Sequence, residues 1–195
     1  MNIGLYFGSF NPIHNGHLVI ASYIKQYTTL NQVWMVVTPQ NPLKKNNTLL
    51  NEYQRLELVR LSIEGENNIK VTDIEFNLPK PSYTINTLTY LKEKYPQHTF
   101  SLIMGSDSLR NIDKWKNGSF ILDNYTIYVY ERPGFEIKPE TIGKKVIICK
   151  APMLEISASM LRQMIEEGKS IRYLVPEKVQ EEIEKYGYYK TNPKK

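Results

Sequence analysis

Short apolar segments alternate with amphipathic ones along most of this chain, and this alternation limits the folds it can adopt. Apolar residues recur at helical spacing in the amphipathic segments. The segments between them are rich in β-branched and aromatic residues and are predicted strands; they span residues 3–7, 33–38, 69–74, 100–104, 125–130 and 146–149. Strands that alternate with helices form a parallel sheet with helices on both faces. The sequence therefore predicts a doubly wound α/β fold.

Capping residues indicate where several of the predicted helices begin and end. Asn51 can cap the second helix, and Pro96 follows the third, since the residue before a proline avoids helical backbone angles. Ser157 or Ser159 can cap the first C-terminal helix, and Gly187 ends the last one. The C-terminal part of the chain is therefore predicted to be helical.

Length and composition are those of one ordinary globular domain. The 195 residues suffice for a large core, and the hydrophobic content is 41%. We predict a single domain over residues 1–187 and a frayed basic tail over residues 188–195. No apolar run approaches the roughly 20 residues that cross a bilayer, so we predict no membrane partner and a cytoplasmic location. The single cysteine, Cys149, excludes an internal disulfide and is predicted to be a core residue in a buried strand.

The net charge of +5 is compatible with either nucleic acid or a polyphosphate substrate. The positive charge is spread along the chain, apart from the lysines of the tail. The sequence has no arginine-rich arm and no zinc-ligand spacing, so we predict no nucleic-acid partner. The oligomeric state stays open, and a homo-oligomer is included among the alternatives.

The loop after the first predicted strand carries the clearest chemical signal. It reads Gly-Ser-Phe-Asn-Pro-Ile-His-Asn-Gly-His over residues 8–17 and leads into a predicted helix. A helix start offers unpaired backbone N–H groups and suits phosphate. Two histidines alone would more often be a helix cap and a surface residue. Here two glycines and a proline form a tight loop that brings His14 and His17 to one place, which favours nucleotidyl transfer.

This loop resembles the His-x-Gly-His motif of a superfamily of nucleotidyltransferases. Residues 156–162, Ile-Ser-Ala-Ser-Met-Leu-Arg, resemble the Ile-Ser-x-Thr-x-x-Arg segment of the same superfamily. Ser159 stands where threonine is frequent and keeps the hydroxyl. Asn11 stands where aspartate is frequent and removes a charge, from which we expect little effect on the phosphate site.

The middle of the chain resembles the bacterial nicotinate-nucleotide adenylyltransferases. The similar stretches are residues 39–44 with Arg55, 81–88, 104–109 with Trp115, and 172–176. They occur in the family's order and span nearly the whole chain. Leu43 departs from the family, in which histidine or an aromatic residue is common, and could alter the substrate loop.

The resemblance implies a Rossmann-like fold and an enzyme of NAD biosynthesis. The implied reaction joins nicotinate mononucleotide to ATP and gives nicotinate adenine dinucleotide (deamido-NAD) and pyrophosphate. The attacking 5′-phosphate is already an anion, so positioning and charge neutralisation supply most of the catalysis. Mg²⁺ bound to ATP would neutralise the β- and γ-phosphates with few protein ligands, and no metal-binding residue is predicted in the chain.

The resemblance also implies the residues of the site. The catalytic residues are His14, His17 and Arg162. The ATP-binding residues are Gly8, Ser9, Phe10, His14, His17, Gly105, Asp107, Ser159 and Arg162. The mononucleotide-binding residues are Lys44, Arg55, Tyr83, Thr84, Asp107 and Trp115. In this arrangement an indole face stacks on the cationic pyridinium ring of the substrate.

Three other functions stay open at this point. The enzyme could prefer nicotinamide mononucleotide, since the sequence does not show how the pocket treats an amide. It could be a phosphopantetheine adenylyltransferase, although those typically carry threonine in place of the first histidine and are shorter. It could be a nucleotide-binding or regulatory module with a degenerate site, which the presence of His14, His17 and Arg162 together disfavours.

Overall fold

One parallel sheet organises the computed structural model, which describes residues 1–42, 49–137 and 143–190. Within these ranges six strands pair in the order β3-β2-β1-β4-β5-β6. They are β1 (Asn2–Gly8), β2 (Gln32–Val37), β3 (Ile69–Thr72), β4 (Thr99–Gly105), β5 (Ile127–Tyr130) and β6 (Val146–Cys149). Every neighbouring pair is parallel. This strand order confirms the predicted doubly wound, Rossmann-like fold.

Helices cover both faces of the sheet. The described α-helices are α1 (Asn15–Tyr27), α2 (Glu52–Ser62), α3 (Thr84–Lys94), α4 (Ser106–Leu109), α5 (Gly118–Asn124), α6 (Ala158–Glu166) and α7 (Glu177–Tyr186). Short 3₁₀ helices span Ile74–Asn77 and Ile112–Lys114. One apolar cluster takes buried side chains from α1, α2, α6 and α7, and a second takes them from α3, α4 and α5. Strand β1 contributes side chains to both clusters, because Leu5 and Tyr6 point to opposite faces of the sheet.

The predicted capping residues lie at the helix ends. The Asn51 side chain accepts a hydrogen bond from the Tyr53 backbone N–H at 2.9 Å and caps α2. Of the two candidate serines before α6, Ser157 is the cap, and it accepts from the Met160 backbone N–H at 3.2 Å. Gly187 ends α7 at φ 63°, a left-handed conformation that costs glycine little. Local sequence therefore determines where these helices begin and end.

Three of the predicted strands differ from the observed ones by two residues at one end or in their burial. The fifth begins at Ile127 rather than residue 125, because the Tyr125 backbone N–H still donates to the Ile121 carbonyl oxygen at the end of α5. The third ends at Thr72 rather than residue 74, because Ile74 already belongs to a 3₁₀ helix. The sixth was expected to be buried, but β6 pairs only with β5 among the described strands and lies at the sheet edge. Ile147 and Ile148 are consequently 44% and 38% exposed. Cys149 is buried as predicted, and burial raises the pKa of its thiol.

The chain remains packed beyond the end of α7. Tyr188 and Tyr189, which the sequence places in a frayed tail, are partly buried and contact the core cluster formed by α1, α2, α6 and α7. Residues 191–195 lie outside the described ranges. In the described part of the chain, no helix is long and apolar enough to cross a membrane.

Candidate active site

A cavity of about 850 Å³ opens at the carboxyl ends of the strands. Its lining includes Gly8 at the end of β1, Gly105 at the end of β4 and Tyr130 at the end of β5. Strands β1 and β4 are neighbours at the point where the strand order reverses. Ligands of open α/β sheets bind at this point, and the volume is typical of small-molecule sites.

Most of the predicted site residues meet in this cavity. Its lining contains Gly8, Ser9, Phe10, His17, Tyr83, Thr84, Gly105, Asp107, Trp115, Ser159 and Arg162. The fold thus gathers segments that are up to about 150 residues apart in sequence. His14 and Arg55 are not part of the lining. Lys44, and Leu43 beside it, lie outside the described residues.

The two histidines of the first loop are stacked, with His17 on the cavity and His14 behind it. Their ring centroids are 3.7 Å apart with an interplanar angle of 31°. The His14 backbone N–H donates to His17 Nδ1 at 3.3 Å, which assigns the proton of a neutral His17 ring to Nε2. His14 is only 5% exposed. His17 therefore contacts the cavity directly, and the His14 ring packs against the His17 ring from the protein interior.

Burial keeps the inner histidine neutral. Burial, together with a smaller contribution from the positive charge of Arg132, lowers the pKa of His14 from 6.5 to about 4. Gly16 permits this packing, because a Cβ there would lie 3.0 Å from His14 Nδ1. An alanine Cβ at position 16 would crowd the His14 ring, which would have to shift by a few tenths of an ångström to make room.

Acidification should destabilise the protein through His14. Because its folded-state pKa is about 4 and its ordinary value 6.5, the unfolded chain takes up the proton first as pH falls. The free energy of unfolding should fall between about pH 6.5 and pH 4, by up to about 3 kcal/mol at roughly 1.36 kcal/mol per pKa unit. His14→Asn should lack this part of the loss. Urea unfolding of both proteins across that range tests this, and identical pH dependence would contradict it.

Arg162 connects α6 to the loop that follows β1. Its Nη1 donates to the Asn11 carbonyl oxygen at 2.7 Å, and Asn11 Oδ1 accepts from the Leu50 backbone N–H at 3.1 Å. Asparagine and aspartate both supply such an oxygen, so the departure from aspartate preserves this contact. Phe10 has φ 45°, a region rare for residues with a side chain and frequent at ligand-binding loops. The loop is thus fixed by contacts from outside it.

Arg55 has a different place from the predicted one. It is 0% exposed and does not reach the cavity surface. Its guanidinium donates to four backbone carbonyl oxygens, namely those of Leu50 at 2.8 Å, Ser9 at 2.5 Å, Thr38 at 2.9 Å and Pro39 at 3.3 Å. Arg55 therefore connects the loop after β1 to the loop after β2 from the protein interior. Its side chain does not reach the cavity, where a substrate would bind.

A polar network crosses the cavity at the ends of β1, β4 and β5. Arg132 Nε lies 3.5 Å from Asp107 Oδ1, and Arg132 Nη2 donates to the Tyr130 hydroxyl at 3.3 Å. The Tyr130 and Tyr6 hydroxyl oxygens are 3.2 Å apart. Gly105 leaves room for this network, since a Cβ there would collide with the Asp107 carboxylate. The network holds the Asp107 carboxylate just beyond the end of β4, and its contact with ribose hydroxyls stays a prediction.

The other end of the cavity is aromatic and positively charged. Trp115 is half-buried in the wall, and Tyr83 and Thr84 form the start of α3 beside it. Lys116 Nζ lies 5.0 Å from the centroid of the Tyr83 ring. Lys114 and Lys116, which flank the indole, both line the cavity. Helix N-H groups, two ammonium groups and a flat ring together suit an aromatic anion.

Comparison with known proteins agrees with this geometry. Residues 5–164 match the model of the cytidylyltransferase-like family. A Flavobacterium johnsoniae protein named "probable nicotinate-nucleotide adenylyltransferase" is 52% identical over 194 residues, covering 97% of this chain and 100% of the relative. The chain belongs to this family of adenylyltransferases. A Cytophaga hutchinsonii relative of the same name is 50% identical over 189 residues, covering 97% of this chain and 98% of its own.

Solved structures support the fold assignment. The Plasmodium falciparum nicotinic acid mononucleotide adenylyltransferase complexed with NaAD aligns with a TM-score of 0.82 at 24% identity, over 96% of this chain and 97% of that chain. The same protein complexed with APC gives a TM-score of 0.81 over 96% of each chain. Similarity at this level of identity establishes the shared fold of this adenylyltransferase.

Sequence reasoning missed several polar residues of the adenylyltransferase cavity, among them Tyr6, Tyr130 and Glu75. Tyr6 and Tyr130 lie at the carboxyl ends of strands, where ligand-binding residues concentrate, and this placement could have identified them. Glu75 lies in the wall near Tyr83. The sequence predicts the end of a strand at residue 74, and no local signal indicates that the carboxyl of the next residue turns inward.

Proposed function

We propose that this protein transfers the adenylyl group of ATP to the 5′-phosphate of nicotinate mononucleotide, giving nicotinate adenine dinucleotide and pyrophosphate in NAD biosynthesis. One observation carries the proposal. A single cavity has His17 and Arg162 with a backbone loop at one end, and Trp115 with the start of α3 at the other. A phosphate-binding end facing an aromatic-binding end matches the two substrates. The names of the family relatives agree with this assignment.

Catalysis at the phosphate end depends on placement and charge. The 5′-phosphate is an anion and attacks the α-phosphorus of ATP in line, so no general base is needed. His17 donates a hydrogen bond to a phosphoryl oxygen, and Arg162 neutralises the charge that accumulates on the departing pyrophosphate. Ser159 and the backbone N–H groups of Ser9 and Phe10 complete the donors around the phosphate chain.

The mononucleotide occupies the aromatic end. Its pyridinium ring stacks on the Trp115 indole, which adds a cation–π contribution to the stacking. Its carboxylate accepts from the N–H or hydroxyl of Thr84, next to the positive charge of Lys116. Asp107 accepts hydrogen bonds from ribose hydroxyls, and Arg132 orients it. An amide in place of the carboxylate loses the attraction to Lys116, which favours the acid.

Magnesium enters the proposed reaction with ATP. Among the described residues, no three His, Cys, Asp or Glu side chains gather where they could hold a metal ion. We expect the ion to be carried on the phosphates of ATP, where it neutralises their negative charge. The protein then contributes its hydrogen-bond donors and Arg162, as described above.

Pyrophosphate release from ATP and Mg²⁺ tests the proposal when nicotinate and nicotinamide mononucleotides are supplied in parallel, with phosphopantetheine as a third acceptor. We expect release with the acid and at least about tenfold lower kcat/KM with the amide. Equal kcat/KM for both mononucleotides would be compatible with adenylyl transfer but would reject the proposal that Lys116 and Thr84 select the carboxylate over the amide. Release only when phosphopantetheine is the acceptor, or release in the absence of any acceptor, would reject nicotinate mononucleotide as the substrate.

A further inference from the structure

Glu75 is a buried carboxyl in the cavity wall to which the proposed reaction gives no task. It is 2% exposed, and it lies in the 3₁₀ helix Ile74–Asn77 that follows β3. It is part of the cavity lining on the side of Tyr83 and Thr84. Burial of a carboxyl is costly unless hydrogen bonds compensate for the lost water. Such a group therefore requires partners that hold it in place.

The partner that the geometry shows is a hydroxyl group of α3. The Thr87 hydroxyl donates to Glu75 Oε1 at 2.7 Å. Burial raises the pKa of the Glu75 carboxyl, and nearby hydroxyl groups, with Thr87 first, offset part of this rise. The Glu75 carboxyl therefore connects the 3₁₀ helix to α3, while Glu75 Oε2 has no hydrogen-bond partner among the described residues.

The turn held by this carboxyl is the one that faces the nicotinate ring. Thr87 lies one turn after Tyr83, and its backbone N–H donates to the Tyr83 carbonyl oxygen at 3.3 Å, so its contact with Glu75 fixes the turn that carries Tyr83 and Thr84. The Thr87 hydroxyl has one proton, and its 2.7 Å contact with Glu75 is much shorter than its 3.5 Å approach to the Tyr83 carbonyl oxygen. Without Glu75 this hydroxyl would turn back to its own helix, and the first turn of α3 would lose its connection to the 3₁₀ helix.

We propose that Glu75 is a positioning residue for the mononucleotide: through Thr87, it holds Tyr83 and Thr84 in the orientation that receives the nicotinate ring. This inference rests on the proposed function. The loop after β1 and the start of α6, which surround the ATP phosphates, make none of the contacts described for Glu75. Removing the Glu75 carboxyl should therefore weaken the binding of nicotinate mononucleotide and leave the binding of ATP unchanged.

Steady-state kinetics with both substrates varied separately tests this role. Glu75→Ala should raise the KM for nicotinate mononucleotide by roughly tenfold or more and change the KM for ATP by less than about twofold. Glu75→Gln keeps an oxygen that accepts from Thr87, so its mononucleotide KM should return to within about threefold of the wild-type value. A purely structural role would raise both KM values together.

Two threonines of α3 supply a second variant and a matched control. Thr87→Val should raise the mononucleotide KM, and adding it to Glu75→Ala should produce no further increase, since both act on one contact. Thr89→Val removes a hydroxyl from the same helix, where Thr89 donates to the Ile85 carbonyl oxygen at 3.0 Å and not to Glu75. It should leave both KM values unchanged.

Each failure has a distinct signature. An unchanged mononucleotide KM in Glu75→Ala, or a parallel rise of both KM values, overturns the positioning role. If Glu75→Ala does not fold, an unchanged mononucleotide KM in Thr87→Val has the same consequence. A wild-type protein that adenylylates a different acceptor rejects the proposed function instead, and the KM for that acceptor then decides the role of Glu75.

Discussion

Replacing His17 by asparagine should lower kcat for pyrophosphate release by about two to three orders of magnitude, a loss typical of removing one preorganised donor to a developing negative charge. His17 lies on the cavity, and its ring is fixed by the stack with His14 and by an edge contact with Phe10 at 5.1 Å between centroids. Its donor therefore meets the transition state without reorganisation. The KM values should change by less than about threefold, because the contact strengthens only as charge develops.

The other two histidines of the chain allow matched comparisons for this prediction. His98 is outside the cavity lining and stacks on Tyr95 at 5.8 Å, so His98→Asn should leave kcat unchanged. His14→Asn should lower kcat by about ten- to a hundredfold, as expected for a residue that orients a functional one. The double variant should be little worse than His17→Asn, since the pair acts as a unit. Activity of His17→Asn within a few-fold of the wild type would exclude a direct role.

The elements of this fold could be predicted because their signals are local. The strands are short runs of apolar and β-branched residues, and the caps at Asn51, Ser157 and Gly187 lie beside the helices that they end. The first loop could be predicted as a phosphate site for the same reason, since its glycines, proline and histidines occur within ten residues, 8–17. Such patterns depend on near neighbours in the chain.

The errors concern surroundings that only the folded chain creates. A spacing of three predicts that His14 and His17 are close, but not that one ring covers the other. The strand β6 is apolar, yet its exposure depends on which elements lie beyond it in the sheet. Glu75 is buried with its carboxyl against the Thr87 hydroxyl, twelve residues further along the chain, and no pattern around residue 75 shows this contact.

Arg55 presents the largest difference between sequence and structure, and the largest predicted effect on stability. A charged residue in a helix is usually solvated, and the family resemblance predicts that Arg55 binds the mononucleotide. The structure instead buries its guanidinium among four carbonyl oxygens from two functional loops. Because arginine carries five N–H donors in one plane, it can satisfy four such acceptors together, which lysine with three donors cannot.

Arg55→Met should therefore lower the free energy of unfolding by about 3 to 5 kcal/mol, because it leaves several buried carbonyl groups without a donor. Arg60→Met, on the same helix, removes a side chain that is 61% exposed and pairs with Glu57 at 2.5 Å, so it should cost less than about 0.5 kcal/mol. Urea unfolding of the two variants measures the difference.

At urea concentrations below the unfolding transition, Arg55→Met should also bind ATP more weakly. The Ser9 carbonyl would lose its hydrogen-bond donor, and the loop of residues 8–17 would lose its fixed conformation. Equal stabilities for the two variants would show that the buried guanidinium does not hold these loops together.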